Sequence, residues 1–106
     1  MQFVNLTPHA LNVHDIENNV FVFPPSGEVA RVSSTTSIVD VIDGIEISEV
    51  TFGEVVNLPE PVKDVRFIVS GLVLSALKGT RADVLAPGEL VRNESGQPIG
   101  CMGLRR

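Results

Sequence analysis

Tryptophan and tyrosine are absent from this sequence and phenylalanine occurs only five times in 106 residues. A core of ordinary size therefore has to be built from valine, isoleucine and leucine, a composition that favours strands. Cysteine is almost absent as well. Cys101 alone cannot form an internal disulfide, and a reducing cytoplasm is the expected compartment. No apolar run approaches the roughly 18 to 20 residues needed to cross a bilayer, so a membrane is not an expected partner. The opening Met1-Gln2-Phe3-Val4-Asn5 lacks the basic and long apolar regions of a signal peptide, which argues against export by that route. The glycine-lysine phosphate loop, the dinucleotide fingerprint, HExxH and paired CxxC are all missing. Those absences remove the standard nucleotidase, dehydrogenase and zinc-enzyme readings, and no cofactor or metal is expected.

What is present is a globular composition, with 43% apolar and 20% charged residues, far from the signature of disorder. One domain spanning residues 1–106 is expected. The net charge of −5 is unevenly spread: residues 1–60 carry nine acids against the single base Arg31, whereas residues 61–106 carry seven bases against four acids. An isoelectric point near 4.8 and so few aromatic residues argue against nucleic acid as a partner. A small anionic ligand needs only a few placed arginines and stays open.

Along the chain, short apolar runs alternate with turn chemistry. Phe3–Asn5 and Ala10–His14 read as strands around the Leu6-Thr7-Pro8-His9 turn. Val20–Phe23 is apolar at every position and reads as a covered strand that Pro24-Pro25 ends. Runs Glu28–Ser33, Ser37–Ile42 and Ile45–Phe52 follow. Asp43-Gly44 between the last two is the strongest hairpin signal in the chain, because a type I′ turn needs positive φ at both central residues. Asn57–Asp64 reads as a surface loop and Val65–Val69 as a buried strand. Ser70–Lys78 reads as the one helix, with Ser70 as N-cap, an apolar stripe of Leu72, Val73, Ala76 and Leu77, and Gly79 after its end. Pro87-Gly88 reads as a turn, and Leu90–Arg92 with Ile99–Leu104 as a closing hairpin across Asn93–Gly96. The expected fold class is α+β, mostly β: an antiparallel sheet or small barrel of about seven short strands with one short helix.

The polar residues give few sharp signals. His9 and His14 point to opposite faces of an extended segment, which argues against a shared metal. Ser70-Gly71 opens the helix, but the nucleophile-elbow pattern fails because Ile68 and Leu72 occupy the required glycine positions. Ser70 is then a helix cap or, at most, part of an anion site. Cys101 sits in an apolar strand and reads as a small hydrophobe. Arg81 and Asp83 are spaced to pair, and Arg92 flanks the last turn. Both arginines follow the helix in the basic part of the chain. Asn5, Thr7 and His9 cluster around Pro8, where turn capping is the plain reading. The candidate ligand-binding set is therefore Asn5, Thr7, His9, Ser70, Arg81, Asp83 and Arg92.

Taken together, Val4-Asn5-Leu6-Thr7-Pro8-His9, Phe23-Pro24-Pro25-Ser26-Gly27 with Ala30-Arg31-Val32, Ile68-Val69-Ser70, Arg81-x-Asp83, Pro87-Gly88-x-x-Val91-Arg92 and Gly96-x-x-Ile99-Gly100-Cys101 resemble a family of short phage and prophage proteins. The resemblance covers nearly the whole chain and implies a phage-related context, without supplying a mechanism. Phe67 stands where the pattern has a tyrosine, and Gly79-Thr80 replace a more proline-like helix exit; the polar positions are unaffected.

The leading expectation is an accessory domain that binds rather than catalyses, a homo-oligomer that sequesters a small nucleotide-like anion in a bacterial host. The alternatives are a protein-interaction module, working on a virion or host protein through the acidic half of the chain, and a cofactor-free hydrolase using His9, Ser70 or Cys101.

Overall fold

Five residues other than glycine sit at positive φ, and four of them are Asn or Asp: Asp43, Asn57 and Asp64 in the expected turn and loop, and Asn18 in the tight turn after His14. These short polar side chains tolerate the left-handed region, which is why the turn chemistry read so directly. In the computed structural model, which describes all of residues 1–106, the turns separate eight strands and one helix. They are β1 (Gln2–Asn5), β2 (Leu11–His14), β3 (Val20–Phe23), β4 (Arg31–Ile42), β5 (Ile45–Val56), β6 (Val65–Ile68), α1 (Gly71–Leu77), β7 (Val84–Arg92) and β8 (Pro98–Arg105).

Six strands form one sheet in the order β1-β6-β7-β8-β2-β3. Its two ends curl toward each other: the Phe3 and Phe23 rings lie 5.4 Å apart, and the Asn5 side chain reaches the Phe23 carbonyl. The result is a nearly closed barrel with an open seam between β1 and β3. The α+β, mostly β expectation holds, with a mixed sheet in place of an antiparallel one. β1-β6, β6-β7 and β2-β8 run parallel, whereas β2-β3 and β7-β8 run antiparallel. For β6-β7 the reason is the crossover through α1, which returns the chain to lay β7 parallel to β6, and the other two parallel pairs join strands far apart in the chain.

Strand alternation sorts the side chains. Val4 on β1, Val65 and Phe67 on β6 and Val84 on β7 face α1 and form the main core with Leu6, Ala30, Val69 and Val73. Ser70 caps α1 as expected, its Oγ accepting from the Val73 N–H. Lys78 closes the helix in the left-handed region with Gly79 after it, which is the usual exit. Val73, Leu74 and Leu77 pack inward, whereas Leu72, expected on the buried stripe, is exposed.

Three further expectations change. Arg31–Ser33 of the run Glu28–Ser33 and the whole of Ser37–Ile42 belong to one twelve-residue strand, β4, that tolerates two bulges, and Glu28–Ala30 precede it outside the sheet. Pro87-Gly88 lies inside β7, opposite Leu104 and Gly103 of β8. Pro87 is tolerated there because pairing with β6 has already ended at Leu85, so its missing N–H has no partner to lose. Val20–Phe23 is not covered: it is the edge strand β3, with Val20, Phe21 and Val22 all more than half exposed, because α1 packs against β7 and the roots of β4 and β5 and does not reach that edge.

The largest departure from a simple barrel is the β4-β5 pair. Asp43 and Gly44 have φ of 53° and 79°, the type I′ hairpin the sequence called for. The two strands pair only with each other. Val32 and Val55 root them in the core, and beyond that root the hairpin projects as an arm. The radius of gyration of 16.4 Å compares with about 13 Å for a compact chain of this length.

Candidate functional site

Asn5 is the organiser of the first polar cluster. It is buried, its Nδ2 donates to the carbonyls of His9 at 2.8 Å and Phe23 at 2.9 Å, and its Oδ1 accepts from the Thr7 N–H and hydroxyl at 2.9 and 2.6 Å. Its backbone carbonyl also accepts from the Ser26 N–H. One side chain thus fixes the Leu6–His9 turn and stitches β1 to the end of β3 across the seam. All four polar functions of Asn5 and Thr7 are used internally. His9 is exposed and enters the network only through its carbonyl.

Thr7 and Ser70 do come together. They line a groove of about 310 Å³ between the Leu6–Pro8 turn, the start of α1 and the root of β4, with Arg31 on its wall. Arg105 stands close by, since a Cβ added to Gly71 would meet its guanidinium at 2.8 Å. Arg31 was missing from the sequence-derived set. Its signal was available: it is the only base in the first sixty residues.

Arg81 and Asp83 are not part of this groove. Arg81 donates from Nε and Nη2 to the two carboxylate oxygens of Asp83, each at 2.9 Å, and from Nη2 to the Pro59 carbonyl at 2.8 Å. With side-chain exposures of 19% and 14%, the pair staples the Asn57–Asp64 loop to the segment before β7. These bonds hold the Asp83 carboxyl below its ordinary range and push the Arg81 guanidinium above its own. Arg92 lies in the exposed β7-β8 hairpin and donates to the Gly96 carbonyl at 2.8 Å. The seven expected positions therefore divide among the Asn5-Thr7-His9 turn, the Ser70 cap, the Arg81-Asp83 staple and the outlying Arg92. Only Thr7 and Ser70 share a cavity.

The chemistry for a hydrolase is thin. The Ser70 hydroxyl is committed to the helix cap, Cys101 is buried, and the His9 ring makes no hydrogen bond to either. No three His, Cys, Asp or Glu side chains stand together as a metal-binding group. His14 Nδ1 lies 3.0 Å from Asn18 Oδ1 within its own turn. Neighbouring Asp15 accepts from the N–H groups of Asn19 and Glu17, which hold its carboxyl low.

Two apolar surfaces stand out instead. Along the arm, Ile38, Val39, Val41, Ile42, Ile45 and Val50 are each more than half exposed. On the concave face of the barrel, Phe3, Phe21, Phe23, Leu85 and Leu104 border an almost wholly apolar cleft of about 480 Å³. The sequence carried a signal for the arm: apolar residues fall on both alternations of β4 and β5 near the turn, so neither face reads as the solvated one. No protein-family model, curated protein or solved structure matches the chain.

Proposed function

We propose that this chain is a phage-related accessory domain that binds rather than catalyses, and that it works as a protein-interaction module through the β4-β5 arm. The observation that carries the reading is the arm itself. A two-stranded ribbon is marginal in water, and this one holds its large aliphatic side chains in solvent from Ile38 to Val50. Contiguous exposed apolar surface of this kind marks a contact site. The acids Asp40, Asp43, Glu46, Glu49 and Glu54 keep the free arm hydrated and would set partner choice. The buried free Cys101 and the absence of a helix long and apolar enough to cross a membrane agree with action in the cytoplasm of a bacterial host.

Removing residues 38–48 and closing the arm with a short turn tests this. The full chain is expected to associate, with itself or with a virion or host protein retained from infected lysate, and the trimmed chain to lose that association while keeping its melting transition. Unchanged association after trimming would overturn the reading.

A second reading has one specific observation behind it. Thr7, Ser70 and Arg31 line a common groove, which would suit a small nucleotide-like anion sequestered from the host. Calorimetry with cyclic nucleotides and ADP-ribose derivatives tests it: binding has to weaken in Arg31→Ala, and no heat with any of them removes the reading.

A further inference from the structure

We infer that the occupant of the arm is the barrel of a second copy of this chain, each arm lying across the other's β3 edge with its tip in the concave cleft bordered by Phe3, Phe21, Phe23 and Leu104. The proposal rests on the reading of the arm as the contact surface and adds the identity of the partner.

Charge decides against the simplest alternative, arm against arm. Of the thirteen acids in the chain, five lie on the arm between residues 32 and 56, where there is no base. Eight acids remain against eight bases elsewhere, so the whole net charge of −5 belongs to the arm. Two arms laid together would bring ten carboxylates side by side with no counter-charge, which costs affinity. The barrel has no such excess. The cleft is bordered by a single acid, Asp15, next to His14, and Arg66, the register partner of Phe3 on the parallel β1-β6 pair, is half-buried on the same sheet face.

Shape and area agree. Twelve residues per strand make the arm about 40 Å long and about 10 Å wide. One face of the arm then covers about 400 Å², and because the two-fold pair makes that contact twice, each chain contributes about 800 Å², close to what each partner contributes to a stable complex. The body supplies a matching surface that nothing in a single copy covers: the cleft and the β3 edge, whose Val-Phe-Val-Phe run carries no charge or proline to discourage a neighbouring strand. Arm and cleft lie on one chain, so a two-fold axis satisfies both at once, with the same pair of contacts made twice.

Sedimentation velocity on the full chain tests the proposal, with two variants: Ile42→Asp/Ile45→Asp in the arm tip and Phe21→Asp at the cleft. The wild type is expected to sediment as a dimer. Each variant should weaken dimerisation at least about tenfold, with far-UV circular dichroism unchanged because all three side chains are more than half exposed, and with melting lowered only by the lost association. A one-to-one mixture of the variants should recover association, since the mixed pair retains one intact arm-cleft contact. Failure of the mixture to recover, or self-crosslinking of Ile42→Cys in preference to crosslinking with Phe21→Cys, would overturn it. A monomeric wild type whose arm still captures another protein overturns the second-copy partner and leaves the interaction reading standing. A monomer with no arm-dependent association removes both.

Discussion

Replacing Asn5 probes the seam that turns the six-stranded sheet into a barrel. Asn5→Ala deletes four hydrogen bonds from a side chain with 2% exposure. It leaves the Phe23 carbonyl and the Thr7 N–H without their partners. At about 1 kcal/mol net for each bond, the expected loss is about 3 to 4 kcal/mol, a large share of the roughly 5 to 15 kcal/mol that holds a domain folded. The melting temperature should fall by about 12 to 16 °C, taking about 4 °C per kcal/mol at this chain length. Asn5→Asp is the sharper probe because the shape is kept. It preserves the acceptor facing Thr7 and turns the donor into an acceptor facing two carbonyl oxygens, so it should destabilise at least as much as alanine. Those carbonyls disfavour the charged form and raise the folded pKa of the new carboxyl. Its deficit should therefore narrow as pH falls below that raised value, where a protonated oxygen can donate again. Urea unfolding followed by far-UV circular dichroism measures both, there being no tryptophan or tyrosine to follow by fluorescence. Amide exchange at Ser26, whose N–H donates to the Asn5 carbonyl, reports opening of the seam. An Asn5→Asp protein within about 0.5 kcal/mol of wild type at neutral pH would refute the reasoning.

Two other substitutions follow from the same geometry. Gly88→Ala drives a Cβ into the Met102 carbonyl oxygen across the β7-β8 pair. That contact is with backbone and cannot be relieved by a rotamer change, so a loss of more than about 2 kcal/mol is expected in urea unfolding. Gly27→Ala, with nothing within 4 Å of the added carbon, is the control that loses only the ease of its positive φ. Asp83→Asn removes the charge from the Arg81 staple and should cost about 1 kcal/mol at neutral pH. Because the folded pKa of Asp83 is depressed, its contribution is fully present above the ordinary carboxylate value of about 4 and is lost as pH falls through the folded one. The gap between wild type and Asp83→Asn should therefore begin to narrow below pH ~4 and close as pH falls below the folded pKa, and a gap that does not narrow on acidification would refute the ion pair's role.

The amino-acid sequence by itself determined the features whose causes lie within a few residues. Positive φ at Asp43-Gly44 fixed the hairpin, the Ser70 hydroxyl and the left-handed exit at Lys78-Gly79 bounded the helix, and two residues of spacing were enough for Arg81 to meet Asp83. Of the candidate site, the turn-capping roles of Asn5 and Thr7 were legible for the same reason, whereas Arg31, the lone base of the first sixty residues, was not read as part of it, because only folding brings it to the groove beside Thr7 and Ser70. Partners distant in the chain were not legible. Whether β6 and β7 run parallel, whether Asn5 reaches Phe23, and whether Pro87 interrupts a strand or sits where no neighbour needs its N–H depend on which strands lie side by side. That order is settled by packing against α1 and by closure of the sheet. Burial followed the same rule. Val20–Phe23 and Ile38–Ile42 are as apolar as the core strand Val65–Ile68, yet only the last carries a side chain of the buried core, Phe67, and hydrophobicity in a sequence states a preference for burial without saying which neighbour satisfies it. The tertiary structure decided that the arm meets the rest of the chain at its root and that Ile38, Val39, Val41, Ile42 and Ile45 near its turn stay in solvent.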